Sequence, residues 1–166
     1  MVALVRDFLN TYAVDTEAEE LSSPADLTLW LRERGLVEVS ARATEDDLGV
    51  AVSLREGLRA ALRGEPRELP VLPLRIAVAG RPRLEPVEGG VAGGLARIVA
   101  ATMDPAWERL KVCAEPTCQW AFVDASKNKS RSWCDMKVCG NRTKTRAYRA
   151  RKAGSRPREA SRTDTV

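Results

Sequence analysis

Apolar positions recur along the first two thirds of the chain with the spacing of short helices. Leu4, Val5, Phe8, Leu9 and Tyr12 fall on one face of a helix over residues 2–12. Residues 15–22 are acidic and polar and read as a loop. Ser23 is an N-cap residue with Pro24 at the first helical position and Asp26 in the first turn, and Leu27, Trp30 and Leu31 make the apolar stripe that Gly35 ends. Thr44 is the next N-cap, followed by Glu45, Asp46 and Asp47, which suit the positive end of a helix dipole. That helix runs to about Arg63, with Leu48, Ala51, Val52, Leu58 and Leu62 on its apolar face, and Gly64 and Pro66 stop it. Residues 69–78 and 83–88 flank the turn signal Ala79-Gly80-Arg81-Pro82 and predict a short hairpin, its strands confined to edges by Pro73 and Pro86. The glycines at 89, 90, 93 and 94 lack the Lys-Ser/Thr of a phosphate loop and read as a flexible entry to a helix over 91–103, which Asp104-Pro105 breaks.

The pattern then changes. Trp120 to Asp124 alternates as a strand does, and Ser130 to Cys134 is expected to pair with it across a polar turn at 125–129. Asn141 is expected to cap a helix over 142–152, in which Thr143, Ala147 and Ala150 form a small face and Arg142, Arg146 and Arg149 a basic stripe. The expected fold is mainly α with small β-hairpins: a helical domain over 1–106, a metal module over 107–152, and a disordered basic tail over 153–166.

All four cysteines lie within that module. Cys113, Cys118, Cys134 and Cys139 form two pairs with four residues inside each pair and fifteen between them. Two thiolate pairs joined by a loop of hairpin length predict one structural zinc, closed to water because all four positions are filled by sulfur. Two disulfides are the lesser alternative, since they belong to oxidising compartments and the apolar residues 1–14 carry Arg6 and Asp7 and lack a cleavage site. A redox dithiol would want the C-x-x-C spacing, which does not occur. The expected location is the cytoplasm, and no apolar run reaches the ~20 residues that span a bilayer.

Charge is divided along the chain. Residues 1–108 carry 12 Lys and Arg against 18 Asp and Glu, a net of −6, while residues 109–166 carry 15 against 5, a net of +10. Such an imbalance points to a polyanion as the partner of the C-terminal half. The candidate contacts are Lys127, Lys129 and Arg131 in the turn and Arg142, Lys144, Arg146, Arg149 and Arg151 on the helix. Arg146, at the centre of the stripe, is the expected base reader. Duplex DNA, RNA and an acidic protein all remain open as targets. The sequence has no histidine and no paired-carboxylate signature, so an enzyme is not expected. Arg55 falls in the middle of an apolar face and must be paired or hold an anionic ligand; an internal ion pair, with Asp7 as the candidate partner, competes with a ligand anchor.

Cys139-Gly140-Asn141-Arg142, with Trp120-Ala121-Phe122-Val123-Asp124, Ser126-Lys127-Asn128, Ser130-Arg131, Trp133-Cys134-Asp135-Met136 and Lys144, resembles the CGNR zinc finger over residues 107–152. Asp7-Phe8-Leu9-Asn10-Thr11, Trp30-Leu31, Leu54-Arg55-Glu56 and Leu58-Arg59 resemble the ABATE domain that precedes this finger in its family. The resemblance implies a stress-induced transcription regulator of bacteria that binds DNA. The finger is expected to be treble-clef-like, a hairpin and a basic helix around zinc, and the N-terminal domain to sense an unassigned small molecule or protein effector.

Overall fold

In the computed structural model, residues 1–154 are described, and the expected disordered tail lies outside the described residues from 155 onward. Helix α1 (Val2–Leu9) buries Val5, Phe8 and Leu9 completely. It ends sooner than the apolar spacing suggests, because Tyr12–Ala13 (β1) pairs with Ala18–Glu19 (β2) in a small antiparallel ladder. Helix α2 (Pro24–Glu33) is capped by Ser23, whose hydroxyl accepts from the Asp26 amide at 3.2 Å. Trp30 of α2 packs on Phe8 with ring centroids 5.5 Å apart. Helix α3 (Glu45–Leu62) opens on a reciprocal capping box between Thr44 and Asp47.

Strands β3 (Leu74–Ala79) and β4 (Arg81–Pro86) form the expected hairpin around Gly80. Helix α4 (Gly90–Ala100) follows and packs against β4 and α1. Gly93 and Gly94 provide close approach: a Cβ on Gly93 would lie 2.1 Å from the carbonyl oxygen of Glu88. Two 3-10 turns, Ala101–Met103 and Pro105–Arg109, carry the chain into strand β5 (Leu110–Val112), which pairs antiparallel with β6 (Ala121–Val123). Helix α5 (Asn141–Gly154) closes the described chain, so residues 153 and 154 are helical.

One apolar core joins these elements. It runs from Val5, Phe8 and Leu9 through Leu27, Leu31, Leu54 and Leu95 to Leu110 and Ala121. The β5–β6 hairpin, the root of the cysteine module, is therefore part of the helical body's core. Asn10 rivets it there: its side-chain oxygen accepts from the Ala121 amide at 2.8 Å and its amide donates to the Ala121 carbonyl at 2.9 Å.

Arg55 resolves as an internal pair, and its partner is not Asp7, which bonds Arg6. The Arg55 fork donates to both carboxylate oxygens of Glu19 at 2.7 Å, to the Thr11 hydroxyl at 3.0 Å and, through Nε, to Glu56 at 2.9 Å. Burial lowers its pKa, but Glu19 and Glu56 more than restore it. With four hydrogen bonds made inside the protein, the Arg55 guanidinium is turned to internal partners. Arg59 beside it donates to the carbonyls of Leu9 and Tyr12, the segment leaving α1. No helix among the described residues is long and apolar enough to cross a membrane.

Candidate metal centre and its basic helix

The chain leaves β5 and re-enters at β6 through a knuckle that presents the first two thiols. The Cys113 amide donates to the Trp120 carbonyl at 2.9 Å, closing the ladder below it. The amides of Cys118 and Gln119 both donate to the Glu115 carbonyl, and Gln119 takes a left-handed φ of +52° to complete the turn. After β6, Asp124 gathers the following loop. Its buried carboxylate accepts from Lys111 at 2.7 Å, from the Ser126 amide at 2.9 Å and from the Arg131 amide at 3.0 Å, contacts that hold it well below the usual carboxylate range. The loop then crosses the knuckle, with the Ala114 amide donating to the Ser132 carbonyl at 2.9 Å, and delivers Cys134.

Residues 130–134 are not a strand. The expected pairing with 120–124 is replaced by β5–β6, because residues 110–112 arrive first and carry the apolar residue, Leu110, that the core accepts. Asn141 is not the helix cap either. Asp135 takes that part, its carboxylate accepting from the Val138 amide at 2.9 Å, and Met136–Gly140 winds as a π-turn that runs into α5. This wide turn brings Cys139 inward. Gly140 lets the Met136 side chain lie close over the turn: a Cβ there would stand 2.6 Å from the Met136 sulfur, which would have to move aside.

The four sulfurs of Cys113, Cys118, Cys134 and Cys139 all lie within 4.8 Å of one another, and none is in a disulfide. Cys134 Sγ is 3.6 Å from Cys118 Sγ and 3.7 Å from Cys139 Sγ. A tetrahedral zinc with sulfurs at about 2.3 Å requires neighbouring sulfurs to be about 3.8 Å apart, so the cluster fits the ion. Its chemistry suits a cation as well. Burial pushes the bare Cys118 thiol up to about 11, and burial and the surrounding sulfurs push Cys134 higher still, so four thiolates at this spacing need a positive centre. The cysteines are positioned to bind one zinc ion. Trp133 packs against the cluster and donates from Nε1 to the Thr143 hydroxyl at 3.2 Å.

Glu115 is the residue that sequence reasoning missed. It is fully buried between the first two ligands and faces α5. Its carboxylate accepts from Thr143 at 2.8 Å, Thr117 at 3.0 Å and Arg146 at 2.6 Å. Burial alone would raise its pKa; these donors, Arg146 foremost, hold it at about 2. One signal was present in the sequence: it is one of the few acidic residues in a net basic module and, like Asp135, it lies inside a ligand pair.

Glu115 also divides the expected basic contacts. Arg146 is half-exposed and tied to Glu115 through Nη2. Lys129 pairs with Glu108 at 2.6 Å. Arg131 donates to the carbonyls of Trp133 and Cys134 and lies over the Phe122 ring at 4.9 Å. Among the described residues Arg142 reaches only the Thr117 hydroxyl, at 3.4 Å. Lys127, Lys144, Arg149 and Arg151 are exposed and have no carboxylate partner among the described residues. Arg142, Arg146 and Arg149 converge with Thr145 on one recess of about 340 Å³. Ala147 and Ala150 are exposed, so of the expected small-residue face only Thr143, at the first turn, docks the helix.

Residues 109–152 match the CGNR zinc finger, and residues 3–115 match the ABATE domain, described as a "putative stress-induced transcription regulator". The second match covers most of the chain. The chain belongs to the ABATE family. Among curated proteins no match is found. The two matches overlap across β5, the stretch where the ABATE core and the finger share Leu110. The motif residues of the ABATE domain explain themselves here. Phe8 and Leu9 fill the core, Asn10 holds the finger, and Thr11 joins Arg55.

Proposed function

We propose that this ABATE-family chain is a transcription regulator that binds duplex DNA through its zinc-held basic helix and does not act as an enzyme. The observation that carries the reading is the recess on α5, where three arginines converge beside further exposed cations on a helix pinned to the cysteine cluster by Glu115. Phosphate oxygens are the natural partners of such a surface, and a rigid mounting fixes the register of contacts along a backbone. The finger fits a treble-clef-like description: a knuckle, a hairpin strand, and a helix whose entry carries the last ligand. The cytoplasm, where thiols stay reduced, suits four cysteines held for zinc. The regulatory input of the N-terminal body does not involve Arg55. An apolar cleft of about 1010 Å³ between α1, α4 and the β3–β4 hairpin, lined by Leu4, Leu36, Leu84 and Met103, is the place we assign to an effector.

The test is a salt titration of the zinc-loaded full chain against duplex DNA, structured RNA and an acidic protein. Five cations, Lys127, Arg142, Lys144, Arg149 and Arg151, have no carboxylate partner among the described residues, so log affinity for duplex DNA should fall against log salt with a slope of about −4 to −5. Lys144→Ala should weaken all duplexes alike and reduce the slope by about one. Preference for RNA would move the reading to an RNA-associated module. Salt-dependent binding to the acidic protein alone would make the chain an adaptor.

A further inference from the structure

The β3–β4 hairpin protects one of its two edges and leaves the other open. Leu74 stands opposite Pro86, Ile76 opposite Leu84 and Val78 opposite Pro82. The Val87 amide donates to the Pro73 carbonyl at 3.0 Å, which sets the phase of the ladder. By alternation, Arg75–Glu85 and Ala77–Arg83 are the pairs that exchange hydrogen bonds, and residues 74, 76 and 78 of β3 and 82, 84 and 86 of β4 turn their backbone groups outward. On β4, two of those three outward positions are proline and have no N–H to offer, which blocks that edge against another strand. β4 is also the strand that lies along α4. On β3 none of the three is proline. The Leu74 amide is engaged locally with the Leu72 carbonyl at 2.9 Å, while the amides of Ile76 and Val78 have no partner within the two-stranded sheet. Both side chains are 72 % exposed, the wrong environment for two β-branched residues in mid-strand.

We infer that β3 is a dimerisation edge, and that two copies of this chain pair their β3 strands antiparallel about Ile76 to make one four-stranded sheet. The segment is complementary to itself in that register. Ile76 faces Ile76 of the partner subunit and exchanges two hydrogen bonds with it. The Val78 amide of each copy reaches the Leu74 carbonyl of the other, giving four bonds in all. Leu74, Ile76 and Val78 share a face with Leu84 across the ladder, so the dimer joins two exposed apolar stripes into one. Charge permits it. Arg75 falls opposite Ala77 of the partner subunit, and Arg75 is already matched on its own hairpin by Glu85 at 3.2 Å. A strongly charged strand could take the bare amides but would lay its charges along the exposed apolar stripe of Ile76 and Val78, which a second copy instead matches.

Light scattering on the zinc-loaded full chain should give twice the 18.2 kDa chain mass, about 36 kDa. Val78→Pro removes an amide that the hairpin itself does not use, so it should halve the mass while zinc content and helical circular dichroism stay as in the wild type. Ile76→Cys should crosslink to itself under mild oxidation, because paired Cα atoms on hydrogen-bonded antiparallel strands lie about 5.5 Å apart, within disulfide reach. Val78→Cys should not, since that register sets the two copies of residue 78 four positions apart, about 14 Å. A monomer throughout the concentration range, a Val78→Pro chain that remains a dimer, or self-crosslinking at residue 78 in place of 76 would each overturn the assignment.

Discussion

Replacing Arg55 with methionine separates a structural arginine from a ligand anchor. The side chain is 3 % exposed and ties three elements together: Glu19 on β2, Thr11 after α1, and its own helix neighbour Glu56. Methionine fills most of the volume and removes every donor. Removing one partner of a buried pair costs about 3–5 kcal/mol, chiefly through the carboxylate left behind. Here the lower end applies. Glu19 and Glu56 are 28 % and 30 % exposed, so water can reach them, and Glu56 keeps Arg59 at 3.3 Å. The expected loss is about 3 kcal/mol, which in a chain of this size lowers Tm by roughly 6–12 °C. Urea unfolding followed by far-ultraviolet circular dichroism reads the loss directly. A double-mutant cycle with Glu19→Gln should return a coupling of about 1–3 kcal/mol. If Arg55→Met unfolds within 0.5 kcal/mol of the wild type, the internal network is not what holds Arg55, and an anion-binding part returns to consideration.

Chelation of zinc, or Cys139→Ser, should abolish the protection of α5 amides against hydrogen exchange while β5 and β6 stay protected, because that hairpin belongs to the helical core and the rest of the finger does not. The same protein should carry one zinc per chain and release it as pH falls, since each thiolate then takes up a proton. Asn10→Ala strands the amide and carbonyl of Ala121, which is 1 % exposed, and should cost about 2–4 kcal/mol in chemical denaturation. Glu115→Gln should leave zinc stoichiometry intact yet speed exchange in the first turns of α5 and weaken duplex binding; unchanged exchange there would show that the cysteine cluster alone holds the helix.

Local signals carried far in this protein. Ser23 and Thr44 cap the helices that their side chains announce, because a cap needs only its own turn. The four cysteines reveal their ion through spacing, because a tetrahedral site restricts which separations can close it. The Gly80 turn is legible because the hairpin it closes is local.

What sequence reading misplaced depended on partners distant in the chain. Ser130–Cys134 had the composition of a strand, but the place beside β6 was taken by residues 110–112, whose Leu110 the core had room for. Asn141 is a good cap residue, yet Asp135 reaches the exposed amides one turn earlier, and the earlier start goes with a Cys139 turned inward to the sulfur cluster. Arg146 and Arg149 look equivalent on a helical wheel. They differ because a carboxylate 31 residues before Arg146 is buried beneath it, and a buried carboxylate takes the nearest donor. Thiol spacing, capping and the sign of the charge were settled by neighbours within a few residues, where chain connectivity alone sets the distance. The choice of strand partner, and of which cations stay free for a phosphate, was settled by which groups the folded core had first to satisfy.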